Sequence, residues 1–401
     1  MIDKITTYRK QVEQELMNIN SWWMNNLPYN ELHNFHGEID NHNNIIRDKP
    51  ISLVMITRML WSFSASYELK NDKALLLHAD AVFKFIHTYF LDNLSGGMFW
   101  AVNQDGSVNA DKKQIYGLAF AIYACSTYYV ISSNPLAIQV SNNLYKIIEQ
   151  HSFDKTHGGY IEAFHQDWST IDDLRLSHKD ANERKTMNTH LHVLEAYVNL
   201  YKIQPNADLA SSIQLLLYNF KDYIIDSKTF NQHLFFDDAW NCKSKIISFG
   251  HDIEAAWLLY DAAMSLGNAE LIKFYHNAAI KMAEATIPFV DSDGGMWNEI
   301  NTSTGSLDKE KHWWPQAEAM VGFLNAYELT KEERFLNHSL NSWEYIQKNI
   351  IDKNNGEWFW GYSADGHLIN KGKAGFWKCP YHNSRACIEV IKRTTNLLFT
   401  K

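Results

Sequence analysis

The sequence predicts an all-α fold, an (α/α)6 barrel of six helix hairpins in a toroid, with short β-hairpins over one mouth. Three features point there. Six polar and aromatic clusters recur every 58 to 72 residues, each opening an apolar helical stretch: Arg58 in ITRMLWSF, Tyr116 in QIYGLAFA, Asn188 to His192 in NTHLHVLEAY, His251 in GHDIEAAW, Trp313 to Glu318 in WWPQAEAM and His382 in PYHNSRAC. Spacing that regular along the chain marks one supersecondary unit repeated six times. The helical stretches also alternate between amphipathic, charge-rich ones and nearly all-apolar ones, as outer and inner helices of a ring would. Finally, the long connections resemble one another. If alternate helices run parallel, every cluster reaches the same rim and six distant segments share one pocket.

In chain order, the first outer helix is expected over 5–25 and the first inner helix over 52–69. Further outer stretches at 72–91, 135–150, 208–224, 268–286 and 332–349 carry the one-sided apolar pattern of helices with a solvent face. Inner stretches at 115–131, 188–203, 251–266, 315–330 and 383–398 are small or apolar on most sides after the first turn. Asn188 and Asn383 read as N-caps, and Pro315 as a first helical residue, where its missing N–H is no loss. Four connections, DNLSGGMFWAVNQDG from Asp92, DKTHGGYIEAFHQDW from Asp154, DSDGGMWNEI from Asp291 and DKNNGEWFWGYSADG from Asp352, share a Gly turn, aromatic alternation and a polar turn. That pattern signals hairpins; HLFFDDAWNCK from His233 is a weaker copy. With no Pro-rich or Ser-rich linker anywhere, a single catalytic domain over 1–401 is expected.

Composition narrows the partners. Hydrophobic residues make up 46% and charged residues 21%, ample for a large core and unlike a disordered chain. A formal charge of −9 without a Lys/Arg run argues against nucleic acid or an anionic membrane, so a neutral substrate is expected. The 55 aromatics (14 Trp, 20 Tyr, 21 Phe) crowd the loops beside the clusters, where they can stack on sugar rings or pack as rigid lids. Cys125, Cys242, Cys379 and Cys387 have no framework spacing and read as reduced thiols of a cytoplasmic protein. No export signal is apparent in MIDKITTYRKQVEQEL, and the longest apolar run, near Gly117 to Ser132, is too short to span a bilayer. A monomer is expected.

Asn188 and His192, four residues apart, share a helical face, which favours His192 over His190 as the imidazole that looks into the pocket. His251 sits in a first turn with Glu254 three residues on, and the positive end of the helix dipole disfavours its imidazolium. His382 follows Pro380 at another helix mouth. Imidazoles titrating near neutrality on separate units suit proton abstraction and return. The competing use of His192, His251, His382 and Glu254 is as metal ligands, although no short-range HxxxH pair ties them together, and no metal is expected. Arg58, early in an apolar helix, needs either a buried ion pair or an oxyanion to stabilise. Trp313, Trp314 and Trp377 offer flat apolar faces to a pyranose or simply pack, and Asp180 and Glu318 could accept sugar hydroxyls.

The ordered set TRMLWSFSASY, NTHLHVLEAYVNLY, GHDIEAAWLL, KHWWPQAEAMVGFLNAYE, GEWFWGY and KAGFWKCPYHNSR resembles the N-acylglucosamine 2-epimerase superfamily, and within it the cellobiose 2-epimerase branch, over nearly the whole chain. Phe376 and Ser384 depart from that branch, which carries Pro and Gly there. The resemblance implies an (α/α)6 barrel that interconverts reducing-end glucose and mannose of β-1,4-linked disaccharides, cellobiose foremost and also lactose and mannobiose, with no cofactor. It implies His251 and His382 as the acid/base pair and His192 as a third essential histidine. It further implies Arg58, Tyr116, Asp180, Asn188, Glu254, Trp314 and Trp377 as substrate contacts. The implied chemistry is ring opening, proton transfer at C2 and an enediolate held by Arg58 and His192. Which imidazole takes the proton stays open at this point, as do a monosaccharide 2-epimerase or aldose-ketose isomerase of the same superfamily and an (α/α)6 glycoside hydrolase working with carboxylates.

Overall fold

The computed structural model describes residues 2–26 and 35–399. Twelve α-helices lie among the described residues: α1 (Ile2–Asn26), α2 (Leu53–Lys70), α3 (Lys73–Tyr89), α4 (Ile115–Ser132), α5 (Pro135–His151), α6 (Met187–Ile203), α7 (Ala207–Asn219), α8 (Phe249–Leu266), α9 (Ala269–Thr286), α10 (Trp313–Thr330), α11 (Glu333–Tyr345) and α12 (Tyr381–Phe399). The even-numbered helices are the apolar ones, and each packs on the next, α2 on α4 and so on round to α12, which returns to α2. That closed inner ring wears the amphipathic helices as an outer layer. α4 is long and apolar enough to cross a membrane, but it is an inner helix and 72% of it is buried in the barrel.

Turn chemistry sets the alternation. Inner helices end on a residue in the left-handed region, Asn71 (φ 54°), Ser133 (φ 55°), Gly267 (φ 76°) or Lys331 (φ 61°), which reverses the chain within a few residues. An Asx side chain then caps the outer helix: Asp72 accepts from the Ala74 N–H, Asn134 from Leu136 and Asn268 from Glu270. α7 and α11 each finish in a π-helical turn, Phe220–Ile224 and Ile346–Ile350. The hairpins are consequently inner-then-outer pairs, and α12 takes its outer partner from the other end of the chain, α1. Buried bonds fasten that closure: Tyr8 to Ser339, the Trp358 indole to Glu15 at 2.7 Å and the Trp23 indole to Glu357 at 2.8 Å.

The expected hairpins stand over the mouth where the inner helices begin. Ala101–Val102 pairs with Val108–Ala110, and Glu299–Asn301 with Ser306–Asp308. In three other connections the hairpin shrinks to single bridges, Phe164 with Thr170, Phe236 with Cys242 and Tyr362 with Leu368, so HLFFDDAWNCK is a full member of the set. A feature outside the expectation links the units: the strand entering each of several inner helices pairs with the next connection, Lys113–Gln114 with Ala163–Phe164, Lys185–Thr186 with Phe235–Phe236 and Lys311–His312 with Gly361–Tyr362.

The lysines of those strands, together with Lys373 of the last connection, carry a second repeated device. The first Asp of each Gly turn accepts the turn's own N–H groups and is met by a lysine ahead: Asp92 by Lys113 at 2.6 Å, Asp154 by Lys185 at 2.7 Å, Asp291 by Lys311 at 2.8 Å and Asp352 by Lys373 at 2.7 Å. The Lys113 pair is dry, its side chains 0% and 2% exposed, whereas Asp291 and Asp293 around Lys311 are 37% and 47% exposed. Burial works against the Asp92 charge, but Lys113, Gln166 and the turn N–H groups outweigh it and hold the carboxyl at about 2. Lys113 is itself lowered by burial, so the ion pair holds because the carboxylate is locked by its turn. Lys113→Met is therefore expected to lower unfolding stability by about 3 kcal/mol. Lys311→Met should cost no more than about 1 kcal/mol, because its partners are solvated. Equal losses in urea unfolding would refute the distinction.

Candidate active site

Four inner helices start with an apolar residue at the mouth, Met187, Phe249, Trp313 and Tyr381, one to two residues earlier than the sequence reading placed them, whereas α4 starts at Ile115 as expected and α2 one residue later, at Leu53. Thr186, not Asn188, is the N-cap of α6 and accepts from the Thr189 N–H at 3.1 Å. Asn383 is no cap either: it lies in the first turn of α12 and donates to Glu357 at 2.8 Å. Pro315 is the third residue of α10, not the first. With the starts so placed, the second and sixth residues of an inner helix, one turn apart, face the barrel axis: Tyr116 and Phe120 on α4, Asn188 and His192 on α6, Trp314 and Glu318 on α10. On α8 the second residue is Gly250, where a Cβ would come within 2.5 Å of the Trp314 ring. Trp314 can therefore lie against the His251 ring, centroids 4.7 Å apart, and reach His382 at 5.7 Å.

These side chains enclose a cavity of about 480 Å³ lined by Arg58, Tyr116, Asp180, Asn188, His192, His251, Glu254, Trp313, Trp314, Trp377 and His382. Every candidate site residue is there except Glu318, which lies one layer deeper, behind His382, where a sugar hydroxyl does not reach it. His192 rather than His190 faces the cavity. His190 is turned outward, accepting the Tyr160 N–H at 2.9 Å and bonding the Thr186 carbonyl at 2.7 Å. Asp252 is turned out too, holding Gln232 and Asn231 of the preceding connection.

Three imidazoles thus meet in one cavity, each with its Nδ1 engaged. His192 donates to Glu195 at 2.9 Å, His382 donates to Glu318 at 2.7 Å, and His251 bonds the Ser248 hydroxyl at 2.8 Å. Carboxylates only accept, so the Nδ1 of His192 and His382 carries the proton and Nε2 is left as the basic nitrogen. Burial, more than any neighbouring charge, pushes His251 down to about 4. Burial also takes His382 well below the usual imidazole range, assisted by Arg58 and Arg385 and opposed by Glu254. Both rings are neutral at neutral pH.

Arg58 donates to the Tyr116 hydroxyl at 2.7 Å and lies over the Phe120 and Tyr381 rings at 4.1 and 4.7 Å, while its buried Nε has no partner. Burial works against its charge, yet Tyr116, Cys379, Tyr381 and Glu254 together keep it firmly protonated. The Oδ1 of Asn188 and the indole nitrogens of Trp313 and Trp360 are likewise buried without partners. A cavity lined by aromatic faces together with many polar and charged side chains suits a hydroxyl-rich guest. Asp180, from the connection above, bonds the Ser177 N–H, and burial raises its carboxyl. Phe376 and Ser384, the two departures noted in sequence, pack on Trp100 at 5.5 Å and bond Ser62 at 3.0 Å.

Several residues escaped the sequence reading. Glu162 sits in the cavity wall, accepting from Thr186, Thr189 and Gln114, and burial pushes it up to about 7. Trp360 lay in plain view within the aromatic alternation of GEWFWGY. Beneath the imidazoles lies Arg385, which donates to Glu195 and Glu318 at 2.6 Å each and also bonds Glu254. Glu254, Glu318 and His382 do bring potential ligand atoms within 4.8 Å, the cluster that a metal reading would need. The Arg385 guanidinium occupies the position of that cation, bonded to both carboxylates.

Comparison with known proteins agrees with this geometry. The N-acylglucosamine 2-epimerase (GlcNAc 2-epimerase) family model matches residues 34–386. The chain is 40% identical to a cellobiose 2-epimerase of Bacteroides fragilis, with 96% of this chain and 98% of that protein covered. A cellobiose 2-epimerase of Ruminococcus albus is 35% identical, with coverage of 96% and 99%. The solved cellobiose 2-epimerase of Bacillus thermoamylovorans superposes with a TM-score of 0.91 at 34% identity, over 97% of this chain and 100% of that one. The chain belongs to the N-acylglucosamine 2-epimerase family, as an enzyme of its cellobiose 2-epimerase branch.

Proposed function

We propose that this protein converts cellobiose to glucosylmannose, and accepts lactose and mannobiose, by moving a proton at C2 of the reducing-end sugar. A monomeric, cytoplasmic protein with one catalytic domain over 1–401 completes the reading. The observation that carries it is the set of three imidazoles with engaged Nδ1 atoms around one cavity, beside an Arg58 whose charge has no fixed partner of opposite sign at hydrogen-bond distance.

The chemistry follows from the sugar. Ring opening gives an aldehyde, and the aldehyde makes the C2 proton removable by a neutral imidazole. As the C2–H bond breaks, its electron pair moves into the carbonyl, giving an enediolate whose oxygens Arg58 and His192 stabilise. The proton returns to the opposite face of C2, from the other imidazole or from the same one after rotation about the C2–C3 bond. Nothing is oxidised or reduced overall, so the carbonyl suffices as electron sink. His251 and His382, brought from separate units and both within ring contact of Trp314, are the pair suited to this exchange. Trp313, Trp314 and Trp377 supply apolar faces for the pyranoses, and Tyr116, Asp180, Asn188 and Glu254 contact their hydroxyls. A glycoside hydrolase is disfavoured, because Glu254 and Glu318 are tied to Arg385 rather than free on either side of a glycosidic bond.

Incubation with cellobiose in heavy water should yield an epimer of the disaccharide with deuterium at C2, seen by chromatography and proton NMR. Recovery of starting sugar alone, or release of glucose, would overturn the reading. His382→Ala should lower kcat/KM by about 10³-fold with little change in unfolding temperature. Because burial holds His251 at about 4 and His382 lower than an ordinary imidazole, kcat/KM should stay level through the range where imidazole normally titrates. It should fall only as acid protonates these bases, toward pH about 4. An acid limb centred at the ordinary imidazole value would contradict that burial.

A further inference from the structure

We propose that Arg385 is the positioning residue of this site, a single guanidinium that anchors the carboxylates to which His192 and His382 are bonded and so decides where both imidazoles point. The proposal deepens the epimerase reading and rests on it. Arg385 is 1% exposed and sits in α12, three residues after His382. Its Nη1 donates to Glu195 of α6 and its Nη2 to Glu318 of α10, both at 2.6 Å, and Nη2 also bonds Glu254 of α8. Glu195 in turn accepts the His192 Nδ1–H, and Glu318 accepts the His382 Nδ1–H. One planar fork thus ties four of the six inner helices together directly beneath the cavity. The guanidinium is clamped between the Tyr381 ring at 4.4 Å and the Trp257 ring at 5.0 Å, and Tyr381 also donates to Glu195 at 2.7 Å.

Below this floor a second, smaller cavity of about 90 Å³ opens toward the opposite mouth, bounded by Glu195, Arg385, Tyr123 and Trp257. Arg385 and Glu195 border that cavity and are bonded to the layer that holds the imidazoles. His192 packs on Phe120 at 4.6 Å and His382 on Tyr381 at 5.0 Å, and the ionic bonds add the direction in which each Nδ1 points.

Charge acts in the same direction as geometry. The groups facing His382 are Arg58 on α2, Tyr116 on α4, His192 and Glu195 on α6, His251 and Glu254 on α8, Glu318 on α10, Tyr381 and Arg385 on α12, and Cys379 just before it. Glu195, Glu254 and Glu318 would raise the affinity of this site for protons, and Arg385 offsets them. It contributes to the lowering of His382, and it holds Glu195 at about 2 against the effect of burial.

Arg385→Gln and Arg385→Lys in the full chain provide the test. In Arg385→Gln, kcat should fall about 100-fold with KM little changed, as expected when a base is misaligned and the sugar still binds. The acid limb of kcat/KM should also move up by about one pH unit, because the carboxylates are no longer offset and His382 protonates more readily. Arg385→Lys keeps the charge but not the fork, so it should lose kcat while the acid limb stays in place. Carbon-13 NMR of the histidine rings should report the same upward shift of His382 in Arg385→Gln without any sugar. This readout stands even if cellobiose proves to be the wrong substrate. Should Arg385→Gln not fold, Glu195→Gln/Arg385→Gln removes one charge of each sign and should still raise the His382 titration. Parent kcat in either single variant, or an unchanged His382 ring titration in Arg385→Gln alongside lost activity, would overturn the proposal.

Discussion

The molecule depends on a solution to one electrostatic problem: charge at the axis of a closed helical ring is far from water. An inner ring of apolar helices supplies a dry, pre-shaped cavity, and the same dryness penalises every carboxylate placed there. Three carboxylates, Glu195, Glu254 and Glu318, nevertheless come in from three helices, two of them, Glu195 and Glu318, as acceptors that hold an imidazole by Nδ1 and leave Nε2 free. One guanidinium from a fourth helix satisfies all three. Had that positive charge come from a bound ion, the site would depend on its supply; coming from α12, it arrives with the fold. α12 is held in turn by α1, so the first and last described helices stand together behind the catalytic floor.

The scaffold repeats while the chemistry does not, and the boundary between them runs through single positions. Two residues ahead of the helix start, the six units carry Ile51, Lys113, Lys185, Ile247, Lys311 and Cys379. Where a lysine stands, it pairs with the Asp of the Gly turn. In the unit of α8 an isoleucine stands instead, and Asp226 is left to its own turn N–H groups and to His233 at 3.8 Å. Three residues into the helix, His190, Asp252 and Gln316 each accept a backbone N–H from the preceding connection, at 2.9, 2.8 and 2.7 Å. These positions do architectural work with residue types that look catalytic. The axial positions, the second and the sixth, vary from unit to unit, and those that line the cavity, Arg58, Tyr116, Asn188, His192, Glu254, Trp314 and His382, give it its chemistry.

This division explains what was legible in the sequence. Periodicity and spacing revealed the ring, the outer layer and the mouth, because those features are repeated six times and each repeat corroborates the others. The choice of His192 over His190 was legible from a shared face with Asn188. The helix starts were misjudged by one to two residues at four inner helices because apolar residues, rather than polar caps, sit first, anchored by packing at the mouth. Glu195 and Arg385 went unread although each stands three residues after a candidate histidine, Glu195 after His192 and Arg385 after His382. Helical spacing could have nominated them. Their bonds run across the barrel, between residues 190 apart in the chain, and no local pattern records such a pairing.

The same network makes the two proposed acid/base histidines unequal. His382 is backed by a carboxylate, Glu318, and the positive charge that would develop on the ring as it takes a proton has an acceptor of opposite sign at 2.7 Å. His251 is backed by the Ser248 hydroxyl at 2.8 Å, which can bond the ring in either protonation state but compensates a charge weakly. Burial lowers both rings, so both begin neutral. The carboxylate at His382 is offset by Arg58 and Arg385, which work against a proton on that ring, while at His251 burial is the main opposing effect. A reversible epimerisation needs proton removal and proton return once in every direction, on opposite faces of the same carbon. In the two-imidazole form of the proposed mechanism such a pair exchanges roles between the forward and reverse reactions, and in either form the position of equilibrium belongs to the two sugars rather than to the enzyme.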